Sequence, residues 1–159
     1  MGQGAIVVYH GRGAGKSAAA LGHAVRTASR GGTAYVIQFL KGQMSSGYIK
    51  RLEPECKFFR FERQPESFDE MTEVQRSEER KNIANGLSFA RKVLATGECE
   101  VLVLDEVLGA VDEGIVPEDE LLGALSQKPS DMTVILTGRQ TTPGILEIAD
   151  VVLNIQQEK

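Results

Sequence analysis

Residues 6–17 read IVVYHGRGAGKS, an apolar run followed by a loop with glycine at positions 11, 13 and 15, and then by Lys16 and Ser17. The glycines let the backbone turn its N–H groups toward a bound anion, and the helix that follows adds the positive end of its dipole. Lysine then supplies a charge for the outer phosphates, and the serine hydroxyl can ligate Mg²⁺. The stretch therefore predicts a phosphate-binding loop for a nucleoside triphosphate.

This loop departs from the consensus G-x-x-x-x-G-K-[ST], because His10 stands where the first glycine is expected. A plain glycine-rich turn between a strand and a helix is the alternative interpretation. That alternative predicts that Lys16→Ala leaves ATP affinity unchanged.

Composition and charge narrow the class of protein. The chain has 159 residues, of which 42% are hydrophobic and 25% charged, and 17 are glycine, as is ordinary for one globular α/β domain spanning residues 1–159. The formal net charge of −4 argues against a nucleic-acid partner, since such a surface needs a basic stripe.

The cysteine pattern and the lengths of the apolar runs indicate in which cellular compartment the protein is expected. Cys56 and Cys99 are isolated, without a C-x-x-C pair or nearby histidines, so they read as reduced structural thiols. His23 falls on the polar side of its predicted helix and is expected at the surface. We see no signal sequence and no apolar run of the ~20 residues that a membrane span needs, so a cytoplasmic protein without a membrane partner is expected.

Alternating strand and helix patterns run along the whole chain. The apolar periodicities predict helices over residues 17–30, 72–95, 107–111, 118–127 and from Pro143, with a break in the second near Asn85-Gly86. They predict a first strand that starts at Ile6 and ends in the glycine loop, and further strands over residues 33–38, 56–61, 101–106, 133–137 and 151–155. We therefore predict a three-layer α/β fold of the P-loop NTPase type, with five or six mostly parallel strands and helices on both faces.

Several polar residues follow strand ends, where ligands of parallel sheets bind. VLVLDE at residues 101–106 places Asp105 and Glu106 after an apolar strand, which suits a Mg²⁺ site. Arg139 follows TVILTG on the expected carboxyl edge, and Lys41 lies in the loop FLKGQMSSGY after the second strand. A lone loop lysine is solvated as often as it is functional.

Taken together, IVVYHGRGAGKS, VIQFLKG, VLVLDE and VILTGR followed by IADVV resemble the ATP:corrinoid (cob(I)alamin) adenosyltransferase family of the phosphate-loop type. The resemblance covers nearly the whole chain in order. It implies transfer of the 5′-deoxyadenosyl group of ATP to reduced corrinoid cobalt, with tripolyphosphate leaving, in a Mg²⁺-dependent homodimer. A reductase that supplies the reduced cobalt is an implied partner.

The resemblance also implies roles for individual residues. The catalytic candidates are Lys16, Lys41 and Arg139, and the metal candidates are Ser17, Asp105 and Glu106. The candidates for binding ATP and corrinoid are Gly11, Arg12, Gly13, Ala14, Gly15, Lys16, Ser17 and Phe68.

Some positions differ from the pattern of that family. Ala14 replaces its first loop lysine, Arg12 stands at a small or polar position, and the chain has no tryptophan for the loop that covers the corrin, where Phe68 is the nearest aromatic. The family also continues past the last strand with a basic tail, whereas this sequence reads NIQQEK. Two alternatives therefore stay open: a non-transferring ATP sensor or corrinoid carrier, and a simple ATPase in which Glu106 polarises water.

Overall fold

A computed structural model describes residues 3–40, 49–63 and 66–159. Its strands are β1 Ile6–His10, β2 Ala34–Gln38, β3 Cys56–Arg60, β4 Val101–Asp105, β5 Thr133–Gly138 and β6 Val151–Asn154. Its α-helices are α1 Lys16–Ser29, α2 Glu73–Thr96, α3 Val107–Asp112, α4 Glu118–Leu125 and α5 Pro143–Ile148, and 3₁₀ turns cover Ile49–Leu52 and Phe68–Glu70.

The described strands form one parallel sheet in the order β3-β2-β4-β5-β1-β6. Helix α1 covers one face, through residues such as Ala20, Leu21 and Ala24. Helices α2 to α5 cover the other face, which holds the larger part of the core. The predicted three-layer α/β fold is confirmed, with six parallel strands.

Helix α2 differs from the prediction at Gly86. The helix runs without a break from Glu73 to Thr96, after Thr72 and Gln75 form a capping box at its start. A Cβ at Gly86 would lie 3.2 Å from the ring of Phe61, so the glycine allows close packing rather than ending the helix. The predicted break is therefore wrong.

His23 also differs from its expected place. It is half-buried, and its Nε2 lies 2.7 Å from the hydroxyl of Tyr9 on β1. Burial lowers the pKa of His23, and the positive charge of Arg26 lowers it further. The residue therefore joins α1 to the sheet instead of lying free on the surface.

The strand order brings distant parts of the sequence to one edge. Strand β5 lies between β1 and β4, and the carboxyl ends of all three meet above the start of α1. Among residues 3–40, 49–63 and 66–159, no helix combines the length and the hydropathy needed to cross a bilayer.

Candidate nucleotide-binding site

The glycine-rich loop joins β1 to α1 at this carboxyl edge. Gly11 and Gly15 have φ angles of 118° and 103°, which side chains other than that of glycine rarely adopt. Helix α1 begins at Lys16, directly after Gly15. The two glycines therefore produce the turn that the sequence predicted.

Two of the N–H groups in the loop are already used inside the protein. Gly11 N donates to Arg139 O at 2.9 Å, and Gly13 N donates to Ile155 O at 2.9 Å. These two N–H groups are therefore engaged within the protein and do not point to a bound phosphate.

The N–H groups that come next along the chain, in the rest of the loop and the first turn of α1, remain open to a ligand. In the described part of the chain, the amides of residues 14–18 have no backbone acceptor. Five donors at a helix N-terminus form an anion site, because the dipole of the helix and the unpaired N–H groups act on the same point. Arg12 and Ala14 are exposed beside them.

Lys16 lies under the loop rather than out in solvent. Its side chain is largely buried, and its Nζ donates to Gly13 O at 2.8 Å. The ammonium is thus held close to the open amides, where a phosphate group would offer it a charged acceptor.

Ser17 and Asp105 connect the loop to β4. The Ser17 hydroxyl donates to Asp105 Oδ1 at 2.8 Å, and the Thr137 hydroxyl donates to the same oxygen at 2.8 Å. Thr137 Oγ1 in turn accepts from Glu106 N at 2.8 Å. One hydrogen-bonded cluster therefore links the ends of β4 and β5 with the first turn of α1.

The second oxygen of Asp105 has no partner among the described residues. Asp105 is fully buried, and its Oδ2 makes no hydrogen bond there. A buried carboxylate oxygen without a donor is unfavourable unless a cation or a bound ligand satisfies it. The oxygens of Ser17, Asp105 and Glu106 are the ligand type that Mg²⁺ prefers, so the residues present fit such a cation.

Glu106 follows Asp105 in this cluster, and its backbone has a strained conformation. It has a φ of 57°, and it is the one non-glycine residue with positive φ in the described chain. Burial raises the pKa of the Glu106 carboxyl and the charge of Asp105 raises it further, while Lys16 and Arg139 lower it. Glu106 is therefore close enough to both cations and to Asp105 to share their electrostatic environment.

Of the three other predicted site residues, only Arg139 is observed beside the loop. Arg139 is exposed at the end of β5, beside the loop and close enough to act on Glu106. Phe68 packs against the guanidinium groups of Arg76 and Arg80 on α2, at 5.7 and 5.3 Å, and none of its described contacts reaches the loop. Lys41 lies outside the described residues.

Sequence reasoning missed Thr137 and the backbone of Ile155. Thr137 closes an apolar strand with a hydroxyl, a signal of the same kind as the one that identified Asp105. The carbonyl of Ile155 carries no sequence signal, because any residue at that position supplies the same acceptor.

The fold and this cluster define a P-loop nucleotide-binding protein of the α/β class. The model of the ATP:corrinoid adenosyltransferase family BtuR/CobO/CobP matches residues 2–159, and the chain belongs to that family.

Named relatives agree with this assignment. The chain is 32% identical over 157 residues to the corrinoid adenosyltransferase of Escherichia coli, a match that covers 99% of this chain and 79% of the relative. The figures are the same for a corrinoid adenosyltransferase of Salmonella typhimurium. Identity to the corrinoid adenosyltransferase of Pseudomonas aeruginosa is 31% over 166 residues, covering 99% of this chain and 77% of that one. The family predicted from the four motifs is confirmed.

Proposed function

We propose that this protein transfers the 5′-deoxyadenosyl group of ATP to the reduced cobalt of a corrinoid and releases tripolyphosphate. Membership of the adenosyltransferase family over residues 2–159 supports the choice of reaction. The observation that carries nucleotide binding is the bond from Ser17 to Asp105, because it joins the open amides of the loop to an acidic strand end.

The reaction needs little acid–base help from the protein. Reduced cobalt donates an electron pair to C5′ of ATP, a cobalt–carbon bond forms, and the bond from C5′ to the triphosphate oxygen breaks with its electrons on the leaving group. No proton has to move in that displacement. The tasks left to the protein are to orient C5′ and to stabilise the negative charge that grows on the triphosphate.

The second task suits the loop. The open N–H groups of residues 14–18 and the Lys16 ammonium surround the place where an anion would bind, and Arg139 adds a further cation at the edge. We assign Lys41 to nucleotide or corrin contact and Phe68 to the corrin side as part of this proposal. Both assignments come from the family pattern.

Ser17, Asp105 and Glu106 would hold Mg²⁺ in this scheme. When bound, the cation would offset the charge of the leaving tripolyphosphate. The Asp105 Oδ2 atom supports this assignment, because it lacks a partner among the described residues.

The proposal also covers the cellular compartment, the oligomeric state and the partner of this protein. We infer a cytoplasmic homodimer of one P-loop domain, residues 1–159, that works with a reductase. The exposed apolar edge at β6, with Val151, Val152 and Leu153 each more than a third exposed, supports the dimer.

A spectroscopic assay tests the function. Protein, MgATP and chemically reduced cobalamin are mixed without oxygen, and the visible spectrum is followed for adenosylcobalamin. The expected result is product together with an equal amount of tripolyphosphate, and loss of both in Lys16→Ala. ATP binding without any adenosylcobalamin would overturn the proposal.

Ala14 keeps a second function under consideration. Its exposed methyl group supplies no charge where the family has a lysine, which favours a non-transferring ATP sensor or corrinoid carrier. A simple ATPase is the third candidate, supported by Glu106 beside the loop. Product identity separates the three: tripolyphosphate indicates attack at C5′, orthophosphate indicates hydrolysis at the γ-phosphate, and no product indicates a sensor or carrier.

A further inference from the structure

Three polar side chains lie in one row across neighbouring strands at the carboxyl edge. Gln38 ends β2, and its register partners are Arg60 on β3 and Asp105 on β4. Register partners in a parallel sheet point to the same face, here the face that α1 covers. The row therefore runs beside the loop and reaches the acidic strand end.

Arg60 fixes the orientation of the Gln38 amide. Its Nε donates to Gln38 Oε1 at 2.8 Å. Because a guanidinium has only donors, it selects the amide oxygen and leaves the NH₂ group on the opposite side. The other end of Gln38 must therefore act as a donor.

That donor has no acceptor among the described residues. Gln38 is fully buried, and its Nε2 makes no hydrogen bond there. Asp105 Oδ2, on the register partner of Gln38, likewise has no partner, while Oδ1 faces Ser17 and Thr137. A buried donor and a buried acceptor thus lie on adjacent strands without bonding to each other.

We propose that Gln38 is a positioning residue for the cation that binds with ATP. A water molecule in the second hydration shell of that cation would accept from Gln38 Nε2 and donate to Asp105 Oδ2, which would satisfy both groups at once. Mg²⁺ suits this arrangement because it keeps several of its waters when it binds to proteins. The inference rests on the nucleotide and cation part of the proposed function, and needs no corrinoid.

Without the cation, Gln38 Nε2 and Asp105 Oδ2 are buried with no partner among the described residues, which is unfavourable. This cost distinguishes a positioning role of Gln38 from a purely structural role. An amide placed for packing would have both ends paired, because an unpaired buried donor weakens a fold. Replacing Gln38 with an apolar residue of similar length should then leave the ligand-free protein at least as stable, while impairing cation binding. A purely structural residue would show the opposite change in stability.

Calorimetry of Gln38→Met tests the inference. ATP affinity is measured with Mg²⁺ and, in a second series, with Mg²⁺ removed by a chelator, and thermal unfolding is measured without ligands. We expect roughly tenfold weaker ATP binding with Mg²⁺, as for other side chains that orient the ligands of a metal, and no change without it. The thermal midpoint of the ligand-free variant should equal or exceed that of the parent.

Arg60→Met tests the orientation of the amide. Without the guanidinium the Gln38 amide can rotate, so Mg²⁺-dependent affinity should fall, by less than in Gln38→Met. Lys57→Met is the matched control, because Lys57 is an exposed cation on the same strand whose ammonium faces the ring of Tyr35. It should bind MgATP as the parent does.

Three results with Gln38→Met would overturn the inference. These are an unchanged MgATP affinity in Gln38→Met, an equal loss with and without Mg²⁺, and a ligand-free midpoint lowered by several degrees. A parent protein that binds ATP with no help from Mg²⁺ would also overturn it. A parent that binds MgATP yet transfers no adenosyl group would overturn only the proposed function, since corrinoid takes no part in this assay.

Discussion

At position 14 the loop exposes an alanine among the amides that are open to a ligand. The family whose pattern this sequence resembles has a lysine there. We expect Ala14→Lys to bind tripolyphosphate roughly fivefold more tightly, because two unit charges about 4 Å apart attract by about 1 kcal/mol in water. Calorimetric titration with tripolyphosphate measures the change.

Ala14→Met is the control for this substitution, since it adds length without charge and should leave the affinity unchanged. The gain in Ala14→Lys should also shrink at about 1 M salt, because the Debye length falls to about 3 Å. A gain that is equal in both variants, or that persists at high salt, would contradict the electrostatic explanation.

The thiols at positions 56 and 99 are expected to be unreactive in the folded protein. Both are buried, and burial raises the pKa of the Cys99 thiol to about 12. At pH 8 only about one Cys99 thiol in ten thousand is then a thiolate, the form that reacts. A chromogenic disulfide reagent should therefore label neither cysteine in native protein.

The same reagent should label both thiols after unfolding in guanidinium chloride. Cys99→Ser identifies which of the two thiols is responsible for any slow labelling. Rapid reaction of Cys99 in the native state at pH 8 would show that the thiol is more accessible than its 5% exposure indicates.

Among the elements, β6 and the residues after it support the nucleotide loop. Gly13 N donates to Ile155 O, and Ile155 N donates to His10 O at 2.7 Å, so backbone bonds hold both ends of the contact. A Cβ at Gly13 would lie 2.8 Å from Ile155 O and 2.9 Å from the carbonyl carbon of Gln156. Backbone atoms, unlike the ends of side chains, cannot move aside cheaply.

Gly13→Ala is therefore expected to damage both the fold and the site. Overpacking of this kind costs about 1–3 kcal/mol of unfolding free energy. Displacement of the loop should weaken ATP binding by more than about tenfold, since 1.4 kcal/mol corresponds to that factor. Chemical denaturation and calorimetry measure the two effects.

Gly22 provides the matched glycine for comparison. It lies on the exposed side of α1, and a Cβ there would meet nothing within 4 Å. Gly22→Ala should raise the unfolding free energy by up to about 1 kcal/mol through helix propensity and leave ATP binding unchanged. If Gly13→Ala and Gly22→Ala change the unfolding free energy and the ATP affinity by the same amounts, the contact of Gly13 with Ile155 does not hold the loop in place.

The elements themselves could be predicted largely from the sequence. Each strand is a short apolar run that ends at a glycine or a polar residue, so β4 was predicted within one residue of its observed end at Asp105. The errors arise where a contact with another element decides the outcome. Gly86 continues its helix because Phe61 packs on it, and His23 is half-buried because Tyr9 binds it. Neither contact is visible in a local pattern.

On the scale of the whole molecule, strand order decides which residues form the site. Ser17 and Asp105 could be paired in advance, because their motifs specify a shared role. Thr137 and Gln38 could not, because their proximity to Asp105 depends on β5 and β2 flanking β4 in the sheet. Local patterns determine the ends of strands, whereas packing of the entire sheet determines their neighbours.

The last strand leaves an exposed apolar edge that the proposed homodimer would cover. Val151, Val152 and Leu153 are 43%, 38% and 47% exposed, and Leu146 and Ile148 of α5 add exposed apolar surface nearby. Soluble proteins usually protect an edge strand with charged residues, proline or a bulge, and none of these occurs within Val151–Asn154. A second copy that pairs along the same strand would bury these side chains against identical ones.

Val151→Lys is expected to convert a dimer into a monomer. Burying an unpaired ammonium in an apolar contact is strongly unfavourable, so the edges should no longer associate. Light scattering behind size exclusion should show twice the chain mass for the parent and the single mass for the variant, with ATP binding retained. Val74→Lys places the same charge at a residue that is 70% exposed on α2, and should remain dimeric. A monomeric parent, or a dimeric Val151→Lys, would exclude β6 as the interface.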